Sequence, residues 1–238
     1  TAYRRQRQMC IRDSLGVVLP KDTNDVLSLM EYSQKNSVPL LARGGGSSQC
    51  GQTVGESVVL DYSKHQNKIL ELNVEEKYVW VQPGVVLDHL NDYLKPHGLW
   101  FPVDVSTSSR ATIGGMSANN SCGSRSLYYG NMVHNVLAIE AILDDGSIFQ
   151  FDQINKNYLA TKNNQDRLYK IIDKFIDVRQ KVGSEIDANW PTTQRRVGGY
   201  NIDLIDPEGF NSSNLLVGSE GTLSLSLIHI SEPTRQEA

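Results

Sequence analysis

The run Arg43-Gly44-Gly45-Gly46-Ser47-Ser48 follows directly on the apolar stretch Val38–Ala42. A strand that enters three glycines and two serines presents a row of backbone N–H groups with no Cβ in front of them, which suits a phosphate or pyrophosphate. The alternative is a flexible surface turn. Two named nucleotide motifs fail on this run. The pattern G-x-G-x-x-G is met at Gly44 and Gly46 but finds Gln49 at its last position. The P-loop pattern is met at Gly46 and Gly51, but Gln52 stands where a lysine is required, which argues against a Walker-type ATPase.

Around this loop the pattern reads strand, helix, strand, loop, strand. Gly16–Leu19 is a short apolar strand closed by Pro20, and Asp22 or Thr23 caps a helix to about Lys35 with Val26, Leu27 and Met30 on its buried stripe. Val58–Asp61 is the next strand, which makes a small α/β unit. A second unit begins near Lys68. Tyr78–Val81 is a strand stopped by Pro83-Gly84, and Val86–His97 is a helix with Leu87, Leu90 and Leu94 on one face and Gly98 as its terminator. Asn135–Leu143 and Ser147–Phe151 flank Asp144-Asp145-Gly146 as a hairpin. Asp152–Gln165 is polar and predicted as a loop, and Asp166–Ile186 has helical spacing in Leu168, Ile171, Ile172, Phe175, Ile176 and Val182. Pro191–Gly199 is irregular, and Leu215–Leu225 is strand-like apart from Gly218-Ser219-Glu220-Gly221.

At 238 residues the chain is one large domain or two small ones. Its net charge of −4 argues against general nucleic-acid binding. No apolar stretch of about 18 residues predicts a transmembrane helix, and 3 cysteines make no disulfide scaffold, which fits a reducing compartment. The ends differ from the middle. Residues 1–14 are basic, with Arg4, Arg5, Arg7 and Arg12 and no apolar core of a signal peptide, and residues 226–238 match no preceding element. Both resemble translated sequencing-adapter read-through. They are expected to be non-native tails on a fragment cut at both ends, outside the folded domain.

Two more segments share the character of the first loop. Ala111-Thr112-Ile113-Gly114-Gly115-Met116 leads to Asn119, Asn120, Ser121 and Gly123, and Gly218-Ser219-Glu220-Gly221-Thr222 forms the third. Paired glycines beside small polar residues let a flat ligand approach the backbone, and a structural turn is the alternative. Metal and nucleophile signals are weak. Cys50 and Cys122 stand alone, His89 and His97 read as surface or helix-end residues, and no C-x-x-C, H-E-x-x-H or G-x-S-x-G is present.

The three glycine-rich segments, in this order and at these intervals, resemble the FAD-linked oxidases of the vanillyl-alcohol-oxidase and p-cresol-methylhydroxylase type. Among these the chain is most similar to 2-hydroxy-acid dehydrogenases of the D-2-hydroxyglutarate dehydrogenase-like group, which combine FAD with an iron–sulfur domain. The resemblance rests on ARGGGSSQCGQTVG (42–55), VVLDYSK (58–64), VQPGVVLDHLN (81–91), HGLWFPVDVSTSSRATIGGMSANNSCGSRSLYYGN (97–131) and GSEGTL (218–223), and covers about residues 15–225.

The resemblance implies an α+β fold, a two-subdomain PCMH-type FAD-binding domain. A small α/β subdomain would span 15–64 and a larger sheet-and-helix subdomain 65–225, with FAD between them. Arg43, Gly44, Gly45, Gly46, Ser47 and Ser48 would hold the pyrophosphate region. Pro102, Ser106, Thr112, Gly114, Gly115, Asn119 and Gly123 would line the flavin and its phosphates, with Tyr129, Gly130 and Glu220 in matching segments. The first loop lacks the histidine that binds flavin covalently in some members, so FAD is expected to be non-covalent. No metal ligand and no catalytic base is assigned in this chain. Arg195, Arg196, Tyr200 and Asn201 lie on a loop that is either near the flavin or simply a solvated basic loop.

The implied activity is oxidation of a 2-hydroxy acid (D-2-hydroxyglutarate, D-lactate or glycolate class) by hydride transfer to flavin N5. The electron acceptor would be a quinone, a cytochrome or an iron–sulfur domain, and any iron–sulfur cluster would belong to the missing C-terminal part. The fragment alone would be inactive, because the substrate domain lies outside it. The full-length protein would be cytoplasmic or peripheral to the inner membrane. Alternatives are the FAD domain of a sugar-alcohol oxidase or of an enolpyruvyl-sugar reductase, or a non-catalytic nucleotide-binding module.

Overall fold

The structure is a computed structural model, and it describes residues 14–161, 165–193 and 195–235. Asp22 opens helix α1 (Thr23–Asn36): its carboxylate accepts from the amides of Asn24 and Asp25, two donors that the first helical turn cannot satisfy itself. Val26 and Met30, four residues apart, form the buried stripe, and Ser37 ends the helix in a left-handed conformation. This stripe packs on a three-stranded parallel sheet in the order β1 (Gly16–Val18), β3 (Val58–Asp61), β2 (Leu40–Arg43).

A five-stranded antiparallel sheet carries the larger core. Its strands run β4 (Ile69–Asn73), β5 (Tyr78–Val81), β11 (Leu225–Ser231), β7 (Val136–Ile142), β8 (Ile148–Phe151). Helix α2 (Leu87–Leu94) buries Leu87, Leu90 and Leu94 against it, followed by a single 3₁₀ turn and Gly98 at a φ of 68°. The two-residue strand β6 (Leu99–Trp100) leads to the short helices α3 (Ile113–Ala118), α4 (Ser126–Tyr129) and α5 (Met132–Asn135). β7 and β8 pair as the expected hairpin, with Gly146 at a φ of 81° in its turn.

Helix α7 (Arg167–Asn189) starts at Asp166, whose carboxylate accepts from the Leu168 amide, and buries Tyr169, Ile172, Ile176 and Ile186. Each fully buried side chain of this size contributes roughly 1.5–3 kcal/mol. A second cluster joins Val26, Met30, Leu60 and Tyr62 to Ile142 and Leu227, so the two sheets share one packed interface. Among the described residues no helix is long and apolar enough to cross a membrane.

Three expectations are corrected. The polar segment 152–165 is not all loop: Gln153–Asn155 forms β9, paired with β10 (Gly209–Asn211), and helix α6 (Lys156–Ala160) follows, capped by Asn155. The segment 215–225 is not a strand before Leu225. A 3₁₀ turn at Ser212–Leu215 and successive turns occupy it, with Gly218 and Gly221 at positive φ. Residues 226–231, set aside with the C-terminal tail, run through the middle of the large sheet as β11, and β12 (Thr234–Arg235) pairs with β6. The boundary at 225 therefore falls at the start of a central strand. Alternating apolar residues with no Gly or Pro suffice to fill that slot, whatever lies on either side in sequence.

Candidate functional site

β2 delivers Arg43 to the edge of the first glycine loop, where its guanidinium meets Asp61 across the parallel register at 2.9 Å. Burial pushes the Asp61 pKa up. Hydrogen bonds from the Ser63 hydroxyl and amide and from Arg43 outweigh that, and hold the carboxyl below its usual range. The pair pins the root of the loop. The glycines that follow answer a packing need. A Cβ on Gly44 would stand 2.0 Å from Thr112 Oγ1, and one on Gly45 would stand 2.0 Å from the Arg110 carbonyl. The first and second glycine segments thus lie in direct contact. Among the described residues, none offers an acceptor to the N–H groups of Gly44, Gly45, Gly46, Ser47 or Ser48.

The second segment has its donors engaged. Ile113 N–H donates to Val85 O at 2.9 Å, Gly114 N–H to Pro83 O at 2.9 Å, and Gly115 N–H to the capping Thr112 Oγ1 at 3.3 Å. Gly114 is small because Pro83 lies against it, 2.5 Å from where a Cβ would stand. The third segment is laced to α3: Gly218 N–H donates to Ser117 O and Glu220 N–H to Ala118 O, both at 2.9 Å. Glu220 holds a left-handed φ of 51° there, uncommon for a residue with a Cβ.

The three segments line a cavity of about 270 Å³, near the lower end of the range of small-molecule sites. Of the residues expected from sequence, Arg43, Gly44, Gly45, Gly46, Ser47, Ser48, Thr112, Gly114, Gly115, Asn119 and Glu220 line it. Pro102, Ser106, Gly123, Tyr129 and Gly130 do not. Pro102 is buried and Ser106 lies on an exposed turn. Gly123 is pressed onto Asp104, whose carbonyl leaves no room for a Cβ, and Gly130 ends α4 at a φ of 79° against the His134 ring. Tyr129 stands edge-on to Trp100, with ring centroids 5.4 Å apart.

The basic loop is also committed elsewhere. Arg196 makes two 2.7 Å bonds to Asp203 and lies over Trp190. Arg195 donates to Gly123 O, Tyr200 pairs with Thr222, and Asn201 is buried, donating to Val217 O at 2.7 Å. None of these four lines the cavity.

Sequence reasoning missed Gln52, Tyr62, Ser117, Ser226 and His229, which also line the cavity, as does Ser121 of the second glycine-rich segment. Ser117, near the Gly114-Gly115 pair, carried a weak signal as a small polar residue, whereas Ser226 lies in the segment set aside and carried none. Tyr62 follows an apolar strand and His229 sits in a segment set aside, so neither had one. His229 is fully buried with Nε2 at 3.1 Å from Ser226 Oγ, and desolvation lowers its pKa to about 4, leaving a neutral imidazole. Among the described residues lining the cavity, only Arg43 and Glu220 carry formal charge, and Arg43 is already paired with Asp61. The wall offers neutral N–H and O–H donors. That donor set, with five amides in a row that meet no acceptor among the described residues, fits a phosphate-bearing ligand held without a dedicated cation.

Residues 14–152, more than half of the chain, match a family described as the FAD binding domain. The chain belongs to this FAD-binding domain family. Curated relatives include D-2-hydroxyglutarate dehydrogenases of Haemophilus influenzae, 34% identical over 222 residues and 88% of this chain, and of Pseudomonas putida, 36% identical over 217 residues and 87% of it. A mitochondrial cytochrome-type D-lactate dehydrogenase of Kluyveromyces lactis is 40% identical over 136 residues, 56% of this chain and 23% of its own length. The chain spans 21% of the length of each of the two D-2-hydroxyglutarate dehydrogenases. The solved structure of alkyldihydroxyacetonephosphate synthase matches with a TM-score of 0.61 over 92% of this chain and 34% of its own; at 19% identity this is a likeness of fold.

Proposed function

We propose that this FAD-binding domain is part of a flavin-dependent oxidoreductase that oxidises a 2-hydroxy acid of the D-2-hydroxyglutarate, D-lactate or glycolate class. The observation that carries the reading is the run of five amides, Gly44 to Ser48, with no acceptor among the described residues, on residues that line a cavity in an FAD-binding domain. The activities for which the relatives are named support the substrate class.

In this reading the Gly44–Ser48 amides hold the pyrophosphate, and the Arg43–Asp61 pair keeps their loop in place. Thr112, Gly114, Gly115, Asn119 and Glu220 form the facing wall. Pro102, Ser106, Gly123, Tyr129 and Gly130, which the resemblance assigns to the flavin site, lie outside the cavity lining. The flavin, when bound, supplies the hydride acceptor for the substrate Cα–H. The chain's own residues position it and keep its surroundings free of excess charge. The substrate-binding groups and the base are assigned to the remaining length seen in the relatives. Two subdomains, 15–64 and 65 onward, meet at the cavity, the second extended through Ser231.

The test is a visible absorption spectrum of the purified chain, after reconstitution with FAD and again after heat precipitation. Flavin bands that leave with the supernatant are the expected result. Bands that stay with the precipitate overturn the non-covalent assignment. A folded chain that takes up no FAD overturns the function.

A further inference from the structure

Tyr62 is 5% exposed, lines the cavity, and has a hydroxyl with no hydrogen-bond partner among the described residues. Buried hydroxyls are almost always paired, and an orphan of this kind calls for a ligand or a cause. Two more atoms from residues of the same cavity wall share the condition, Gln52 Oε1 and His229 Nδ1. The position of Tyr62 is not loose. Its N–H donates to Arg43 O at 3.0 Å, at the root of the glycine loop, and its carbonyl accepts from Gln66 N–H at 3.3 Å. Gly84 closes over that carbonyl so tightly that a Cβ would stand 2.3 Å from it. The ring packs in the cluster joining the two sheets, with Leu60 and Ile142. The backbone thus anchors the residue, and among the described residues no group hydrogen-bonds to its hydroxyl.

We propose that Tyr62 is a ligand-binding residue, whose hydroxyl donates a hydrogen bond to an acceptor oxygen or nitrogen of the phosphate-bearing dinucleotide held by the Gly44–Ser48 amides. The proposal rests on the reading of this cavity as the FAD site. The hydroxyl is closed off from water and has no partner among the described residues. A ligand placed against this wall supplies the acceptor that the hydroxyl lacks. Burial raises the phenol pKa well above its usual value, so the group is a protonated donor throughout the working pH range. A neutral donor is what this cavity lacks cations to replace.

The whole 238-residue chain and its Tyr62→Phe variant are titrated with FAD by quenching of flavin fluorescence, and both are melted without ligand. The expected result is about tenfold weaker FAD binding by Y62F, close to the contribution of one hydrogen bond. The ligand-free melting temperature should be unchanged or higher, because the phenylalanine removes an unsatisfied buried group. A lower ligand-free melting temperature, or a variant that fails to fold, shows that the hydroxyl serves the protein and overturns the proposal. Equal FAD affinity in the two chains overturns it too, while leaving the FAD reading intact. A folded parent chain that binds no FAD removes both at once. Tyr128→Phe, at an exposed tyrosine outside the cavity, is the control expected to change neither quantity.

Discussion

At Gly45 the need for glycine comes from the protein rather than from a ligand. The Arg110 carbonyl occupies the place of a Cβ, and a backbone carbonyl cannot swing aside as a side-chain tip can. Gly45→Ala is expected to destabilise the ligand-free chain by roughly 1–3 kcal/mol, the usual cost of overpacking a fitted site. The matching fall in melting temperature is about 2–4 °C per kcal/mol for a chain of this size. Gly115→Ala is the contrast: its nearest neighbour, Thr112 Oγ1, would stand 3.2 Å away, and alanine favours the short helix it enters. Thermal melts that rank the two variants the other way would show that the first and second glycine segments are not packed together. The sequence marks both segments as glycine-rich. It does not show that some of those glycines exist so that the two loops can touch, because that contact joins residues far apart in the chain.

At the scale of elements, what was legible is what local pattern governs. α1 has its capping Asp22 and its four-residue stripe, α7 its helical period, and β7–β8 their hairpin turn. β9 and the 3₁₀ turn at Ser212–Leu215 were not legible, because their hydrogen bonds are paid for by distant partners: β9 by β10, the Ser212 hydroxyl and amide by Asp152 O. β11 is the sharpest case, a central strand made from a segment with no obvious kinship to the rest. Its place can be read from His229, paired in register with Val81 and Ile139 and out of reach of water.

A folded chain keeps this imidazole neutral down to about pH 4, whereas the unfolded chain takes up the proton below about 6.5. Stability is therefore full above the unfolded value, and is lost progressively as pH falls from about 6.5 to about 4, by about 3 kcal/mol in total. Burial lowers the His134 pKa as well, so its loss runs in the same direction. Denaturant melts of the chain and of His229→Gln should show the acid-side slope reduced, but not abolished, in the variant. An NMR titration of the His229 ring near 6.5 instead of about 4 would place this segment outside the sheet.

The whole molecule brings two sheets together over a cavity that is rich in donors and poor in free charge. Most flavin and nucleotide phosphates carry negative charge that a protein can meet with lysine and arginine, and affinity then falls as salt screens the pair. Here the lone cation of the wall is neutralised by Asp61 at 2.9 Å, and the amides of Gly44 to Ser48 are left to do the holding. FAD affinity is therefore expected to change less than about threefold between low and high salt, because fixed dipoles at contact distance are screened far less than separated charges.

Asp61→Asn sharpens the point. It keeps a side chain of the same size and removes the charge that holds Arg43, so the guanidinium becomes available to the ligand. Binding at low salt should tighten and become salt-dependent, while the ligand-free chain loses stability through the loosened loop. Fluorescence titrations of both chains at two ionic strengths decide it. Strong salt dependence in the parent chain would mean that a cation outside the described wall reaches the phosphates. Salt-independent binding in both would mean that Arg43 stays turned away even when freed, and that its place in the site is wholly that of a brace.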